Sequence, residues 1–429
     1  MLSLLPNEHW DYRLADALRG LGTALAPRRP APQPEIHIAG LGSCLAARSG
    51  RVAIIMAVKA LGLPPGASIG VPLYCCPVVF KAIDAAGCHA RFIDVDPDTY
   101  CLSAADLAAK SSELDAVIAV HMFGNVCDMP ALRKAAPGKP FIEDCAQALG
   151  SRLDGRVAGS FGEIAVFSFR SGKYLSVGEG AAIYCNQTNL ASQLRKLGRQ
   201  LPVPTRPDEV IHVVNTLLRS QLRRKPAWGL IGSRLWSAYS EKVSYTSQAP
   251  ILMGQIYETD RDLIARRMAV LGSLIERQRG NADYYARNLT VDAEMLCWER
   301  PGAFFNRLQY PLLVPSSRQC EQLAASLAEN QISTARPYKD IAAIAAAHHG
   351  YRGDCPQAER IAETVIVIPC NYAVKSTEIE RVASCVNRAW SKIGSLRQGA
   401  GGAPPIQGSA NSRQHQQDAE KEREPHYSL

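Results

Sequence analysis

Apolar residues recur along the chain in two alternating rhythms. GRVAIIMAVKALG (Gly50–Gly62) places them at helical spacing, and PVVFKAIDAAG (Pro77–Gly87) does the same before a glycine stop. Between and after these stretches lie short runs of strand type: ASIGVPLY (Ala67–Tyr74), HARFIDVD (His89–Asp96), DAVIAVHMFG (Asp115–Gly124) and the opening of KPFIEDCAQALG (Lys139–Gly150), which ends near Asp144. DLAAKSSEL and MPALRKAA add two helices. Strands and helices in alternation, joined by short turns, predict an α/β fold with a parallel sheet covered by helices on both faces. In such sheets ligands bind at the carboxyl ends of strands. Asp144 is predicted at one such end, and Ser168–Lys173 at another on the same edge if EIAVFSF is a strand.

Downstream the rhythm changes. Residues 254–289 read as one long charged helix. From about 290 to 392 the pattern is that of a smaller α+β domain, with FFNRLQYPLLV and ETVIVIPC as strands and TEIERVASCVNRAWSKI as the last helix. The proline-rich APRRPAPQPE (26–35) reads as a linker or extended arm. The tail from about 395 has too little apolar surface to fold alone. The expected division is an N-terminal arm or linker over 1–39, a large domain over 40–289, a small C-terminal domain over 290–394 and a disordered tail over 395–429.

Composition narrows the class. Hydrophobic content of 47% and charged content of 21% are those of a soluble globular protein with a sizeable core. No apolar run reaches the ~18–20 residues needed to cross a bilayer. The N-terminus lacks the basic start, apolar core and cleavage site of a secretory signal, so a cytoplasmic protein is expected. The 13 cysteines are scattered without a C-x-x-C pair, which points to reduced, buried thiols and to no metal site. The net charge of +8 is concentrated: Ala191 to Trp236 holds nine Lys/Arg and two Asp/Glu. That implies one local basic patch, not a general nucleic-acid-binding surface.

Lys173 is the candidate for chemistry. It stands in FSFRSGKYLSVGEGA (Phe167–Ala181), just past a β-type run and just before a Gly-Glu-Gly turn. A surface lysine needs no such frame. A reactive one does, because its amine must be held in place and partly desolvated. A lysine that holds pyridoxal phosphate needs N–H groups or hydroxyls for the phosphate, often at a helix N-terminus. It also needs a carboxylate for the pyridine nitrogen. SGR (Ser49–Arg51) opens a helix, Asp144 stands at a strand end, and Ser168 lies five residues before Lys173. Taken singly, each also fits an ordinary cap or turn.

In order and spacing, these blocks resemble the DegT/StrS-type sugar aminotransferases, pyridoxal-phosphate enzymes of fold type I. EDCAQALG (Glu143–Gly150), GSFGEIAVFSF (Gly159–Phe169) and Lys173 with its GEGA turn follow the family's E-D-x-A-Q/H-x-x-G stretch, its G-S-x-G-x-x-x-x-F-S-F run and its lysine before GEGG. SGRVAIIMAVKALGLPPG, FIDVDPDTYCLS, VIAVHMFGNVCDMPAL and CPQAERIAETVIVIPC extend the likeness over most of residues 40–392. The resemblance implies that Lys173 holds pyridoxal 5'-phosphate and shuttles protons. It implies that Asp144 pairs with the pyridine nitrogen, that Gln147 lies by the ring, and that Ser168 and Gly50 bind the phosphate. The implied reaction moves an amino group from an amino acid, glutamate, to a keto group of a nucleotide-linked sugar, in a homodimer. Competing readings are a cyclitol or other keto acceptor, and a degenerate member acting as a membrane-associated or regulatory partner. Dehydration ranks low, because the related dehydrating enzymes carry histidine where Lys173 stands.

The chain departs from the family pattern at three places. Arg51 replaces a threonine and either pairs with the phosphate through charge-assisted bonds or points away. In PLYCCPVV, Cys76 takes the place of the aromatic residue over the ring. Tyr74, two residues earlier on the same strand face, is the alternative stacking partner. The loop whose asparagine reaches the neighbouring subunit's phosphate is absent, and an insert over 201–250 stands instead. Its VIHVVNTLLRSQLRRKPAWGLIGSRLW alternates apolar residues with Arg and Lys, and Trp228 and Trp236 flank the basic cluster. It fits a dimer-contact helix pair, a basic groove for a diphosphate substrate, or an amphipathic segment (211–236) at a membrane interface. His121 reads equally as a satisfied core histidine or a functional one, and His348–His349 as a helix end.

Overall fold

The computed structural model describes residues 4–26, 34–224, 251–297 and 299–398, with 227 and 229. Trp228, Trp236 and the tail past 398 lie outside the described residues.

The large sheet is built from β1 (Glu35–Ile38), β2 (Gly42–Ala47), β3 (Ser68–Pro72), β4 (His89–Ile93), β5 (Ala116–Val120) and β6 (Phe141–Asp144). The short β7 (Arg152–Leu153) and β8 (Arg156–Val157) form a side hairpin before β9 (Ile164–Ser168) and β10 (Ala181–Cys185) complete the sheet. The strand order is β1-β2-β10-β9-β6-β5-β3-β4. From β4 to β9 all pairs are parallel. Every residue of AVIAV in β5 is buried, as expected for a strand covered on both faces. The other edge departs from the parallel expectation: β10 runs antiparallel to both β9 and β2, and β1 hairpins onto β2. β10 follows the Gly-Glu-Gly turn directly. The lysine stretch is thus the connection between two antiparallel neighbours, with no crossover helix.

Helices follow the strands as the rhythm predicts. After α1 (Leu14–Leu25) come α2 (Gly50–Ala60), α3 (Val78–Ala85), α4 (Ala104–Lys110), α5 (Met129–Ala135) and α6 (Thr188–Arg199). α2 buries Val52 through Val58 without interruption, so it is a core helix and not a surface one. Ser49 caps it, its hydroxyl accepting the Val52 amide at 3.4 Å. The insert opens with α7 (Arg206–Leu222), which starts in a capping box formed by Thr205 and Asp208.

Two expectations need correction. The segment read as an arm or linker contains α1 and the edge strand β1, which pairs Glu35–Ile38 with Gly42–Leu45. Hydrogen bonds between strand backbones hold it there, which a proline count upstream does not reveal. The long charged helix is two, Glu258–Met268 and Leu271–Asn288. The first buries Leu263 and Ile264, and the second Leu271 and Ile275. A break at Ala269–Val270 lets each turn its own apolar face inward.

The C-terminal part joins β11 (Ala303–Phe304) to β7, then pairs β12 (Tyr310–Leu313) with β13 (Val365–Ile368) antiparallel. Helices Ser317–Glu329 and Ser376–Gln398 cover this pair around Leu312, Leu323, Ile366 and Val382. Leu5, Ala282 and Tyr285 enter the same core, so helix Leu271–Asn288 packs against the C-terminal part.

Candidate active site

Asp144 ends β6 and Ser168 ends the neighbouring parallel strand β9, with Asp144 in register with Val166. The two residues predicted on one sheet edge are therefore on adjacent strand ends. The chain then turns through Gly172 (φ 89°), Ser176 (φ 39°), Gly178 (φ 129°) and Gly180 (φ 121°) before entering β10. Such a run of left-handed positions explains the glycines around Lys173. Ser176 steadies the turn by accepting the Gly172 amide at 3.1 Å.

Lys173 and Asp144 act on each other electrostatically. Burial depresses the Lys173 amine, and the positive charge of Arg170 adds to this, while Cys76 and Asp144 oppose it. Burial pushes the Asp144 carboxyl up, against the Ala146 amide, which donates to Oδ1 at 3.0 Å, and the charge of Lys173. The Lys173 amine is thus held below its ordinary value, and the buried Asp144 carboxyl is one that a cationic partner would stabilise.

The start of α2 makes the third corner. A β-carbon added to Gly50 would stand 3.4 Å from Ser168 Cβ and 3.5 Å from its hydroxyl oxygen. The absent side chain leaves the first turn of α2 and the Ser168 hydroxyl together around one small space. Unpaired N–H groups of a helix start beside a hydroxyl suit a phosphate. The residues present therefore fit pyridoxal phosphate. Arg51, one residue on, is exposed.

Gln147 is held rigidly. Its Oε1 accepts the Phe123 amide at 3.1 Å and its Nε2 lies 3.5 Å from the Tyr338 hydroxyl. Asn306 donates to its backbone carbonyl at 2.8 Å. Tyr74 is fully buried, donates to the Pro337 carbonyl at 3.1 Å, and meets Tyr338 edge-on at 5.5 Å. Cys76 is half-buried and close enough to Lys173 to influence its amine. His121 is a satisfied core histidine: its Nδ1 accepts the Cys127 amide at 3.1 Å and its Nε2 lies 2.9 Å from Glu143 Oε2. Glu143 also takes the amides of Gly159, Phe161 and Gly162, so the pair braces the strand end beneath Asp144.

The sequence model of the DegT/DnrJ/EryC1/StrS aminotransferase family matches residues 37–212 and 240–387. The chain belongs to this family. As a DegT/DnrJ/EryC1/StrS member it is an aminotransferase. It is 25% identical over 362 residues to a UDP-N-acetyl-3-dehydro-alpha-D-glucosamine 3-aminotransferase of Acidithiobacillus ferrooxidans, covering 82% of this chain and 87% of that protein. It is 35% identical over 161 residues to an L-glutamine:2-deoxy-scyllo-inosose aminotransferase of Streptoalloteichus tenebrarius, covering 37% of this chain and 38% of that one. A Streptococcus pneumoniae protein described as a sugar aminotransferase, solved in its PLP form, shares the fold at a TM-score of 0.71 and 16% identity, covering 91% of this chain and 99% of that chain.

The family match leaves out residues 213–239, so most of α7 lies between its two parts. Several neighbours of the lysine turn, one of them at the edge of this gap, are missed by sequence reasoning. His212 of α7 lies 2.7 Å from Asp260, stacks on Tyr257 at 4.0 Å, and would stand 3.0 Å from a β-carbon on Gly178. Arg48, two residues before Gly50, bonds Glu179 at 3.0 Å and accepts the Gly180 amide on its carbonyl at 2.7 Å. The lysine turn and the start of α2 are thereby tied together. On the other side, Arg223 bonds Glu8 at 3.1 Å, and Glu8 and Trp10 border Gly172. These partners stand up to 215 residues apart in the chain, and no local pattern marks them.

Proposed function

We propose that this family member uses pyridoxal 5'-phosphate to move an amino group from glutamate to a keto group of a nucleotide-linked sugar. The observation that carries the reading is geometric: Asp144 and Ser168 end adjacent parallel strands, the Lys173 turn follows directly, and the Gly50 start of α2 lies against Ser168. Bound there, the cofactor would supply an electron sink for cleavage of a bond to the donor's α-carbon.

The chain's own residues then have distinct tasks. Lys173 would anchor the cofactor, take the proton from the donor's α-carbon in the first half-reaction and deliver one to the acceptor carbon in the second, which its depressed amine suits. Asp144 keeps the pyridine nitrogen protonated. Ser168 and the first-turn amides of α2 hold the phosphate, and Gln147 flanks the ring. Cys76 borders the cofactor in place of an aromatic residue. A homodimer completes this reading.

The similarity to a UDP-sugar 3-aminotransferase over 87% of that protein's length supports the nucleotide-sugar acceptor. The partial match to an inosose aminotransferase keeps a cyclitol acceptor as the second reading. The test is the near-visible absorbance of the protein with added pyridoxal phosphate, then with glutamate, for the natural chain and for Lys173→Ala. A band that glutamate bleaches, and that the variant never forms, is expected. A natural chain without a band would overturn the proposal. Adding keto-sugar nucleotides and keto-cyclitols to the bleached protein then separates the acceptors, because only the true acceptor restores the band.

A further inference from the structure

Among the described residues, eleven large apolar side chains are exposed, and ten of them lie on α1, on α7, just before α7 or just after the insert. On α7, Ile211, Val214, Leu218 and Leu222 recur at spacings of three and four and so form one stripe. The stripe lies opposite the face that buries Glu209, Val213, Thr216 and Ser220. α1 packs beside α7 at Gly20, whose β-carbon would stand 3.0 Å from Val213. It adds Leu14, Leu18 and Leu25, each more than 60% exposed. Surface leucines scattered singly need no explanation, but a concentration on two adjoining helices marks an interaction face.

Charge selects the occupant. Arg19, Arg206 and Arg219 are exposed on these two helices, and Asp208 is engaged in the Thr205 cap at the start of α7. A second copy docked on the same face would bring Arg19, Arg206 and Arg219 of both copies together, which like-charge repulsion opposes. A surface of anionic lipid complements both parts: its headgroups take the arginines and its acyl boundary takes the stripe.

We propose that the outward stripe of α7, with the leucines of α1, docks the protein on an anionic membrane surface. Nothing in this depends on the acceptor, the donor or the cofactor.

The test is co-sedimentation of the full chain with phosphatidylcholine vesicles, with and without phosphatidylserine. Binding is expected only to the serine-containing vesicles. It should weaken in high salt and fall about tenfold in Ile211→Glu/Leu218→Glu. Arg19→Glu/Arg219→Glu keeps the apolar stripe and should remove the salt-sensitive part. Circular dichroism melting shows whether each variant folds, and both substitute exposed side chains. Absence of vesicle binding by the natural chain overturns the proposal. So does binding by both folded variants equal to that of the natural chain. If the natural chain ignores vesicles and Leu218→Glu instead lowers the oligomer mass in light scattering, the face belongs to a second copy and the proposal falls.

Discussion

His212 Nε2 lies 2.7 Å from Asp260 Oδ2, and that same oxygen accepts the amide of Glu179 at 3.0 Å. The pair thus reaches from α7 to the turn that closes the Lys173 loop. Burial lowers the His212 imidazole, but Asp260, with Glu179 and Glu209 behind it, outweighs burial and raises it above its ordinary value of 6.5. Arg48 and Tyr257 complete the surroundings. A raised folded-state value means that the stabilisation is fully present below the ordinary value. It is lost as pH rises through the folded one. The melting temperature of the natural chain should fall as pH is raised from below 6.5 into the alkaline range, and His212→Gln should flatten that slope. Where Asp260 is ionised, the variant should also lose about 3 kcal/mol, because the carboxylate is left buried without its cation; at lower pH that loss shrinks, since burial raises the Asp260 carboxyl and it takes up a proton. A slope unchanged by the substitution would remove the pair from this role.

Arg170 offers a second pH test, this time on chemistry. Burial is the main cause of the depressed Lys173 amine, and Arg170 is the next. Since only the neutral amine attacks the cofactor, a depressed value extends cofactor uptake to lower pH. Arg170→Gln removes one of the two causes. Its profile of pyridoxal-phosphate uptake against pH, followed by absorbance, should move to higher pH with the plateau unchanged. Lys173→Ala should lower transamination by about 10⁴-fold at every pH.

How much of this was legible beforehand follows from what each feature depends on. The placement of Asp144 and Ser168 at adjacent strand ends, with Lys173 in the turn beyond, was readable because strand rhythm fixes where a parallel strand ends. The antiparallel β10 was not readable, since direction depends on how the chain leaves the lysine turn. Tyr74 and Cys76 are read from the sequence as sharing one strand face, but β3 ends at Pro72 and both lie in the bend before α3, so strand alternation does not choose between them. Tyr74 is fully buried under the Pro337 carbonyl, a contact across 263 residues. His212, Asp260 and Arg48 were silent for the same reason: each is ordinary in its own neighbourhood and meaningful only beside the others. The stripe on α7 was visible as alternation of apolar and basic residues, but which apolar positions face inward depends on α1 and the Gly178 turn.

Asp144 separates cofactor binding from cofactor activation. Its carboxyl is raised by burial and held by one amide bond from Ala146. Asp144→Asn keeps size and hydrogen-bonding capacity at this buried position, so the fold should persist. The amide cannot carry the negative charge that keeps a pyridine nitrogen protonated. The variant should still bind pyridoxal phosphate within about tenfold of the natural chain, while kcat falls by about 10²–10⁴-fold. Equal kcat in both proteins would show that Asp144 has no part in activating the ring.

Gly50 allows stability and binding to move in opposite directions. It opens α2, and its φ is not among the left-handed ones, so alanine fits the backbone there. Helix propensity alone favours alanine over glycine by about 1 kcal/mol. The new methyl would approach Ser168 Cβ at 3.4 Å, an ordinary contact that leaves the packing intact. The same methyl would occupy the space between the first turn of α2 and the Ser168 hydroxyl, where a phosphate is proposed to sit. Gly50→Ala should therefore match or exceed the natural chain in melting temperature without cofactor, while its affinity for pyridoxal phosphate drops by about tenfold or more. The affinity is read by absorbance titration, and inorganic phosphate should compete with the cofactor less well in the variant. Unchanged affinity would place the phosphate elsewhere and return Arg51 to consideration, since it is exposed on the same helical turn.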